Sequence, residues 1–509
     1  MFGDYLYDFG RVSAFYASHF SDLEAFSEAS KQIDYPPSRR SCLISALREQ
    51  NGDSAAIAKL AEPETVAVVT GQQVGLFSGP AYTVFKALTA VRLAAHLSER
   101  GIPAVPVFWL ATEDHDLAEV DHAWIFDHNL SPTRIAVTNT VVDGGPVGDV
   151  KVGDLPLPEL RRSLGDLPFA DDVVRQVEAA YDFDGTFGSG FRSFLRQLLK
   201  DCDLLYLDPL APAIRKLAAP LLSEAAARVA ELGAGLRERN RDLLAAGYHA
   251  QVHIEDDTSL LFLLEGGKRF PIRWKDGRFS TRDRSYTVAE LQARADMLSP
   301  NALLRPVMQD YLLPTVIYVA GPSEIAYMAQ SQVLYQNLLG RMPVIFPRNS
   351  FTLLDARATK LLERYDLHVS DLLEAHEKIN SRIAARLVPK NLNDEFASVR
   401  SAMSSSLANL QSELIGFDPT LEAAAKKSAA KILYQVDKLS RKTARETMMR
   451  DQRASKDSTY LANLIYPQRH LQERFYSIIP FLAKHGLDLP ERILAQTQVV
   501  CPDHMVRTV

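Results

Sequence analysis

The sequence has few cysteines, no large excess of either charge and no long apolar run. Its three cysteines, Cys42, Cys202 and Cys501, share no CxxC or Cys/His spacing, which argues against a disulfide framework and a structural zinc site. No apolar run approaches the roughly 20 residues of a membrane-spanning helix, and the acidic first residues do not resemble a signal peptide. We therefore expect a cytoplasmic protein with no membrane contact.

Charge and composition narrow the class of protein further. The 509 residues carry 57 Lys+Arg against 63 Asp+Glu, a net charge of −6, so binding to nucleic acid would need a local basic patch. Hydrophobic residues make up 47% and charged residues 24%, which is typical of a folded globular chain. At about 150 residues per domain, the length predicts about three domains.

Short β-branched runs alternate with helical stretches over the first two thirds of the chain. Five runs have the pattern of buried parallel strands: residues 66–71, 104–112, 203–208, 315–321 and 343–347. Residues 133–142 and 251–274 have an antiparallel pattern instead, and the second forms a hairpin turning at Gly266–Gly267. The sequence therefore predicts an α/β fold, a Rossmann-like doubly wound core with inserted subdomains.

The strand pattern disappears from about residue 352. Apolar residues step by three and four over 396–414 and again over 421–439, on either side of the breaker GFDP. This spacing predicts an antiparallel coiled-coil arm, which is either an isolated helix pair or a homodimer contact. The predicted segments are core 1–130, insertion 131–200, core 201–248, hairpin insertion 249–300, core 301–351, and arm with C-terminal helices 352–509.

The most specific motif is TGQQVGLFSGP (70–80), which joins the first predicted strand to its helix. Its glycines permit close approach of a ligand, and free amides at a helix start favour a phosphate or carboxylate. The spacing matches neither a Walker loop nor GxGxxG, and a tight strand-to-helix turn is the alternative interpretation. The substrate-binding candidates here are Gly71, Gln72, Gln73, Gly75, Gly79, Tyr82 and Lys86.

A second polar motif, ATEDHD (111–116), follows the second predicted strand, where ligands of α/β sheets bind. Its carboxylates could hold an ammonium group, and His115 is a candidate base because an imidazole titrates near neutrality. A solvated acidic loop is the alternative, and the histidine spacing predicts no metal site. We select Glu113, Asp114 and His115 as catalytic candidates and Asp116 for substrate binding.

A third cluster of polar residues surrounds the last two predicted strands. Its arginines can each donate two parallel hydrogen bonds to a carboxylate. Core packing and helix capping explain several of its members equally well. The substrate-binding candidates are Arg305, Gln309, Asp310, Gly321, Glu324, Tyr327, Arg348 and Ser350. Because parallel strands end at one edge of a sheet, we expect the loops to converge around one hollow lined by Gln72, Asp114, Tyr327 and Arg348.

The motifs TGQQVGLFSGP, FWLATEDHD, AGPSEIAYMAQ and FPRNS, in this order, resemble those of the BshC family of bacillithiol synthesis. The resemblance covers most of the chain. It implies a Rossmann-like core with inserted connecting-peptide subdomains and a coiled coil used for dimerisation. It also implies a ligase that adds L-cysteine to the amine of glucosaminyl malate. The core is similar to class I nucleotidyl transferases, whose His-x-Gly-His signature is replaced here by TGQQ (70–73).

This implied reaction needs an activated cysteine carboxylate, so we expect ATP or ADP, with its phosphates on the 71–80 loop and Lys86. Arg305 or Arg348 would then clamp the malate carboxylates. We assign no metal and expect no nucleic acid partner. The rival hypothesis is a catalytically degenerate scaffold that binds RNA or a protein through residues 421–450. This stretch contains eight basic residues and three acidic ones. The polar groups at strand ends favour the enzyme.

Overall fold

The computed structural model describes residues 1–138, 140, 144–181, 185–373, 376–500 and 503–509, so Cys501 lies outside the described residues. These residues form two compact units. Unit 1 comprises Met1–His128, Thr133–Phe351 and Glu473–Met505, and unit 2 comprises Asn129–Pro132, Thr352–Gln472 and Val506–Val509. The change of unit after Phe351 coincides with a predicted segment boundary. The return of the chain to unit 1 at Glu473 was not predicted.

The described strands are β1 Val66–Gln72, β2 Ala104–Leu110, β3 His122–Phe126, β4 Pro132–Ala136, β5 Leu205–Leu207, β6 Thr258–Glu265, β7 Lys268–Lys275, β8 Arg278–Ser280, β9 Ser285–Tyr286, β10 Leu298–Pro300, β11 Thr315–Ala320, β12 Val344–Pro347, β13 Ser350–Leu354 and β14 His504–Thr508. Five of them form a sheet in the order β12-β11-β1-β2-β5, in which every neighbouring pair is parallel. The predicted α/β core is therefore confirmed.

The described helices begin with α1 Phe2–Tyr7, α2 Leu23–Lys31, α3 Pro37–Asn51, α4 Ala55–Ala61, α5 Tyr82–Glu99, α6 Leu157–Leu164, α7 Ala170–Ala180, α8 Phe187–Leu198, α9 Pro212–Ala227, α10 Val229–Ala245, α11 Val288–Gln292, α12 Arg305–Leu312 and α13 Pro322–Leu338. They continue with α14 Ala356–Tyr365, α15 Val369–Leu372, α16 His376–Leu387, α17 Lys390–Phe417, α18 Glu422–Arg450, α19 Gln452–Ile465, α20 Gln472–Phe475, α21 Ile479–His485 and α22 Leu489–Leu494. Among the described residues, no helix has the length and apolarity needed to span a bilayer.

Strand β1 requires a glycine near its carboxyl end. In the parallel pairing of β1 with β2, Gly71 is opposite Trp109. A β-carbon at Gly71 would lie 2.8 Å from the Trp109 carbonyl oxygen and 2.9 Å from its Cβ, closer than packed atoms allow. The second residue of the motif is therefore glycine because β1 packs closely against Trp109 of β2 there.

The antiparallel insertion forms a sheet of its own in the order β10-β6-β7-β8-β9. Its hairpin turns at Gly266 and Gly267, whose φ values of 58° and 75° are those of the left-handed turn that glycine favours. The other predicted antiparallel stretch, 133–142, contributes β4, which pairs with β3. Residues 139 and 141–143 of that stretch lie outside the described residues.

Unit 2 contains the coiled-coil arm. Helices α17 and α18 are joined by a short turn at Pro419–Leu421, and Arg400 Nε donates to Asp437 Oδ1 at 2.9 Å, as expected when the chain folds back on itself. The prediction of no strand beyond residue 352 was wrong, because β13 continues to Leu354 and pairs with β14 near the C-terminus. The β14 sequence, HMVRT, is not the continuous apolar run that marks the core strands.

Candidate active site

A cavity of about 800 Å³ lies in unit 1 beside the carboxyl ends of β1, β2, β11 and β12. Gln72, Asp114, Tyr327 and Arg348 all line it, so the loops converge on one hollow as the topology predicted. The sequence-selected residues that line the cavity are Gly71, Gln72, Gln73, Tyr82, Lys86, Glu113, Asp114, Arg305, Gly321, Glu324, Tyr327 and Arg348. Gly75, Gly79, His115, Asp116, Gln309, Asp310 and Ser350 are not among its lining residues.

Lys86 and Glu324 form a buried ion pair in the cavity wall. The Lys86 side chain is 2% exposed, and its Nζ lies 2.5 Å from Glu324 Oε2. The same ammonium donates to the Gly71 carbonyl at 2.8 Å and to Gln72 Oε1 at 3.1 Å. An ammonium has three donors, so all of them are used within the protein.

The electrostatics of this pair depend on both burial and partners. Burial lowers the pKa of Lys86, although Glu324 opposes the shift. Burial would raise the pKa of Glu324, but Lys86 and the hydrogen bonds from Gly321 and Tyr318 outweigh it, so that pKa is lowered. Glu324 therefore stays ionised as the counterion of Lys86, which makes it a poor candidate for a base.

Arg305, at the start of α12, is held by two tyrosines and an amide. Its Nη2 donates to the hydroxyls of Tyr318 and Tyr327, each at 3.0 Å, and its Nη1 donates to Gln309 Oε1 at 3.3 Å. Gln309 in turn donates to Asp310 Oδ1 at 3.1 Å. Gln309 and Asp310 therefore support Arg305 from the buried side of α12 and do not line the cavity themselves.

Arg348 is paired with a carboxylate from the C-terminal part of unit 1. Its Nη2 donates to Glu473 Oε1 at 2.7 Å. The Ser350 hydroxyl donates to the same oxygen at 2.7 Å, and the Phe351 amide donates to Oε2 at 2.9 Å. Burial would raise the pKa of Glu473, but Arg348 and these donors lower it. The charge of Arg348 is thus balanced within the protein.

Glu113 and Asp114 of the ATEDHD motif line the cavity, whereas His115 and Asp116 do not. Glu113 is buried, and its carboxylate accepts from Arg215 Nη1 at 2.9 Å; burial nevertheless raises its pKa, more than Arg215 lowers it. His115 has a side chain 51% exposed, and its Nδ1 accepts from Arg269 Nη1 at 3.2 Å. Asp116 accepts from the Ala118 amide at 3.1 Å. Glu113 therefore ties this loop to α9.

Asp114 and Glu119 share one amide group in the cavity. Gln73 Nε2 donates to Asp114 Oδ2 at 2.7 Å and to Glu119 Oε2 at 2.5 Å, and both acids line the cavity. The two carboxylates face a single NH₂ group that carries no charge. An ammonium group in the same place would satisfy both acids by charge as well as by hydrogen bonds.

The 71–80 loop was predicted to offer amides to a phosphate, and three of its amides donate within the protein. The Gly75 amide donates to the Gln73 carbonyl and the Gly79 amide to the Leu76 carbonyl, each at 2.9 Å. The Phe77 amide donates to the Tyr181 hydroxyl at 2.9 Å. The ammonium of Lys86 is also saturated, so a phosphate would have to displace these contacts, and phosphate binding at this loop stays a prediction.

Several cavity residues were missed from the sequence. The polar ones are Trp109, Glu119, Arg269, Asn301, Ser323 and Arg474. Arg269 comes from β7 of the inserted sheet and lies 3.9 Å above the Phe262 ring, while Arg474 comes from α20. The Trp109 indole N–H is buried and has no hydrogen-bond partner among the described residues. Trp109 and Ser323 lie within the motifs FWLATEDHD and AGPSEIAYMAQ, whereas no local motif marks Arg269 or Arg474, because these two reach the cavity through tertiary structure.

No group of three His, Cys, Asp or Glu side chains in the described parts of the chain is arranged to hold a metal ion.

Comparison with known proteins gives matches over the whole chain. The family model described as "Bacillithiol biosynthesis BshC, N-terminal Rossmann-like domain" matches residues 1–349, and the model for the C-terminal coiled-coil domain of BshC matches residues 351–509. A relative from Solibacter usitatus, named "Putative cysteine ligase BshC", is 52% identical over 509 residues, which is 100% of this chain and 97% of that protein. A relative of the same name from Koribacter versatilis is 36% identical, covering 99% and 96% of the two chains.

Proposed function

Because the chain belongs to the BshC family of bacillithiol biosynthesis, we propose that it is the ligase that joins L-cysteine to glucosaminyl malate through an amide bond. The observation that supports this most is the division of the cavity wall into an acidic pair, Asp114 and Glu119, and arginines such as Arg305 and Arg474. Cysteine and glucosaminyl malate each carry an amine and at least one carboxylate. A cavity with groups of both signs is complementary to such substrates.

We assign the amine of glucosaminyl malate to Asp114 and Glu119. An ammonium donates in three directions, so it would replace the Gln73 amide between the two carboxylates. The nitrogen must lose one proton to become a nucleophile and a second as the amide forms. Asp114, which lines the cavity, is the proton acceptor we favour over His115, whose Nδ1 already accepts from Arg269.

Activation of the cysteine carboxylate requires a leaving group on its carbonyl carbon, and we propose ATP as its source. The amine nitrogen then forms a bond to that carbon while the activated oxygen departs. We derive no step through the nucleotide, since Lys86 and the amides of Gly75, Phe77 and Gly79 already have acceptors. A second cavity, of about 730 Å³ in unit 2, is lined by Arg357, Lys360, Arg364, Arg453, Lys456 and the acid Asp457, and it is a second place to test for nucleotide binding.

We also propose that the arm joins two copies of the chain. Large apolar side chains on α17 and α18 are exposed in the single chain: Met403 by 39%, Leu410 by 55%, Ile432 by 42% and Leu439 by 58%. Apolar seams of this length are commonly covered by a partner. A second copy presents the same seam and would cover them.

The experiment that tests the proposed function supplies the purified protein with cysteine, glucosaminyl malate and ATP, and follows the products by mass spectrometry. We expect a product of the amide's mass, formed together with ADP or AMP. The Asp114→Asn variant, which keeps the shape of the side chain but not its charge, should form it much more slowly. Amide formation without ATP consumption contradicts the activation step, and no amide with ATP or any other energised donor contradicts the ligase assignment.

A further inference from the structure

Arg474 differs from the other arginines of the cavity because its guanidinium is uncommitted. Arg305 donates to Tyr318 and Tyr327, Arg348 is paired with Glu473, and Arg269 donates to Ser299 and to the Pro300 carbonyl. Within the described residues, Arg474 makes neither a hydrogen bond nor an ion pair. It lies beside the Tyr82 ring, with its guanidinium carbon 5.8 Å from the ring centre.

The backbone that carries Arg474 is fixed on both sides. The preceding residue, Glu473, is buried and accepts from Arg348, Ser350 and the Phe351 amide. After it, the Phe475 ring lies 4.7 Å from the Trp124 ring, and the Tyr476 carbonyl accepts from the Ala81 amide at 2.7 Å. An exposed side chain therefore starts from a well-anchored position at the cavity.

The carboxylates of the cavity leave Arg474 without a counterion. Glu324 pairs with Lys86, and Glu113 pairs with Arg215. Asp114 and Glu119 accept from Gln73. A guanidinium next to the cavity whose charge no neighbouring side chain balances is suited to an anionic ligand, and its planar fork matches the two oxygens of a carboxylate.

We propose that Arg474 recognises a carboxylate of the malyl group and so determines the preference for an acidic aglycone; this rests on the proposed ligase function. Cysteine has one carboxylate, and it is the reacting group. A fork that holds both of its oxygens would hinder its activation. The malyl group carries two carboxylates that take no part in the reaction, so one can be held throughout.

The test compares two amine substrates, glucosaminyl malate and methyl glucosaminide, which lacks the carboxylates. We expect Arg474→Gln to raise KM for glucosaminyl malate about 10- to 100-fold, the range for loss of a charge-assisted hydrogen bond. KM for methyl glucosaminide should be unchanged, and Arg474→Lys, which keeps the charge, should recover part of the loss. Arg469→Gln, at another exposed arginine close in sequence, is the matched control and should behave as wild type.

Equal effects of Arg474→Gln on both amine substrates, or an effect confined to KM for cysteine or ATP, would overturn the inference. Calorimetric titration with glucosaminyl malate separates this inference from the ligase assignment. If wild type binds the compound and Arg474→Gln binds it 10-fold or more weakly, the role of Arg474 is supported even where no amide forms. If both proteins bind it equally well, or neither binds it, Arg474 does not have this role.

Discussion

Replacing Lys86 by methionine tests whether this lysine is structural or a ligand for phosphate. The substitution keeps most of the side-chain volume but removes the ammonium, which lies 2.5 Å from Glu324 and has all its donors in use. Glu324 would then be a buried carboxylate without its cation. Breaking a buried ion pair from one side costs about 3 to 5 kcal/mol, so we expect a loss of this size in the free energy of unfolding.

The double variant Lys86→Met with Glu324→Gln sharpens the prediction. Glutamine retains one oxygen that can accept from the Gly321 amide, whereas its NH₂ group replaces the oxygen that now accepts from the Tyr318 hydroxyl. With both charges absent, no buried ion is left unpaired. We therefore expect the double variant to lose less stability than the sum of the two single variants, by about 1 to 3 kcal/mol of coupling.

Urea denaturation followed by tryptophan fluorescence is the appropriate assay. The three tryptophans, Trp109, Trp124 and Trp274, all lie in unit 1, so their emission reports the unit that contains the pair. A loss below about 1 kcal/mol in Lys86→Met, or additive losses in the double variant, would refute a structural role. An unchanged unfolding midpoint with a raised KM for ATP would support the phosphate role expected from the sequence.

The remaining predictions concern other parts of the molecule. Asp114→Asn should raise KM for the amine substrate about 10-fold or more in steady-state assays, since an ammonium loses a charged acceptor. Lys360→Glu should weaken ATP binding in calorimetry; unchanged binding would direct attention to the unit 1 cavity. Leu410→Glu should convert a dimer to a monomer in light scattering. Because the pKa of Glu473 is lowered, its contribution to stability is fully present above the usual value of 4.5. This contribution should be lost as the pH falls through the folded pKa. In Glu473→Gln, the melting temperature should therefore depend less on pH over this range.

The parallel core could be predicted because its signals are local. Strand β1 and strand β2 are buried on both faces and appear in the sequence as short apolar runs, and topology then requires their carboxyl ends to meet. The hairpin at Gly266–Gly267 was likewise marked by its turn residues. Strand β14 could not be predicted, because its partner lies far away in the sequence and HMVRT is not a continuous apolar run.

The position of the candidate site was predicted from the sequence, but the contacts of its side chains were not. Loop convergence follows from the sheet, whereas the partner of each side chain depends on distant segments. Arg348 was selected as a carboxylate clamp from its position after β12, yet its carboxylate comes from Glu473. Helical periodicity beyond residue 352 gives no sign that residues 473–505 return to the core unit, and this return is what brings Arg474 to the cavity.

The cavity side chains with unused hydrogen-bonding capacity describe the substrate better than the saturated ones do. Lys86 and Arg348 already have partners, so a ligand gains little from them unless it displaces one. Arg474 lacks an anion, and Asp114 and Glu119 share one neutral amide. Their complement is a molecule with a carboxylate and an ammonium group. An amino sugar bearing a dicarboxylic acid has both, whereas a nucleotide has no ammonium to offer, so the chemistry of this cavity favours the amine substrate over ATP.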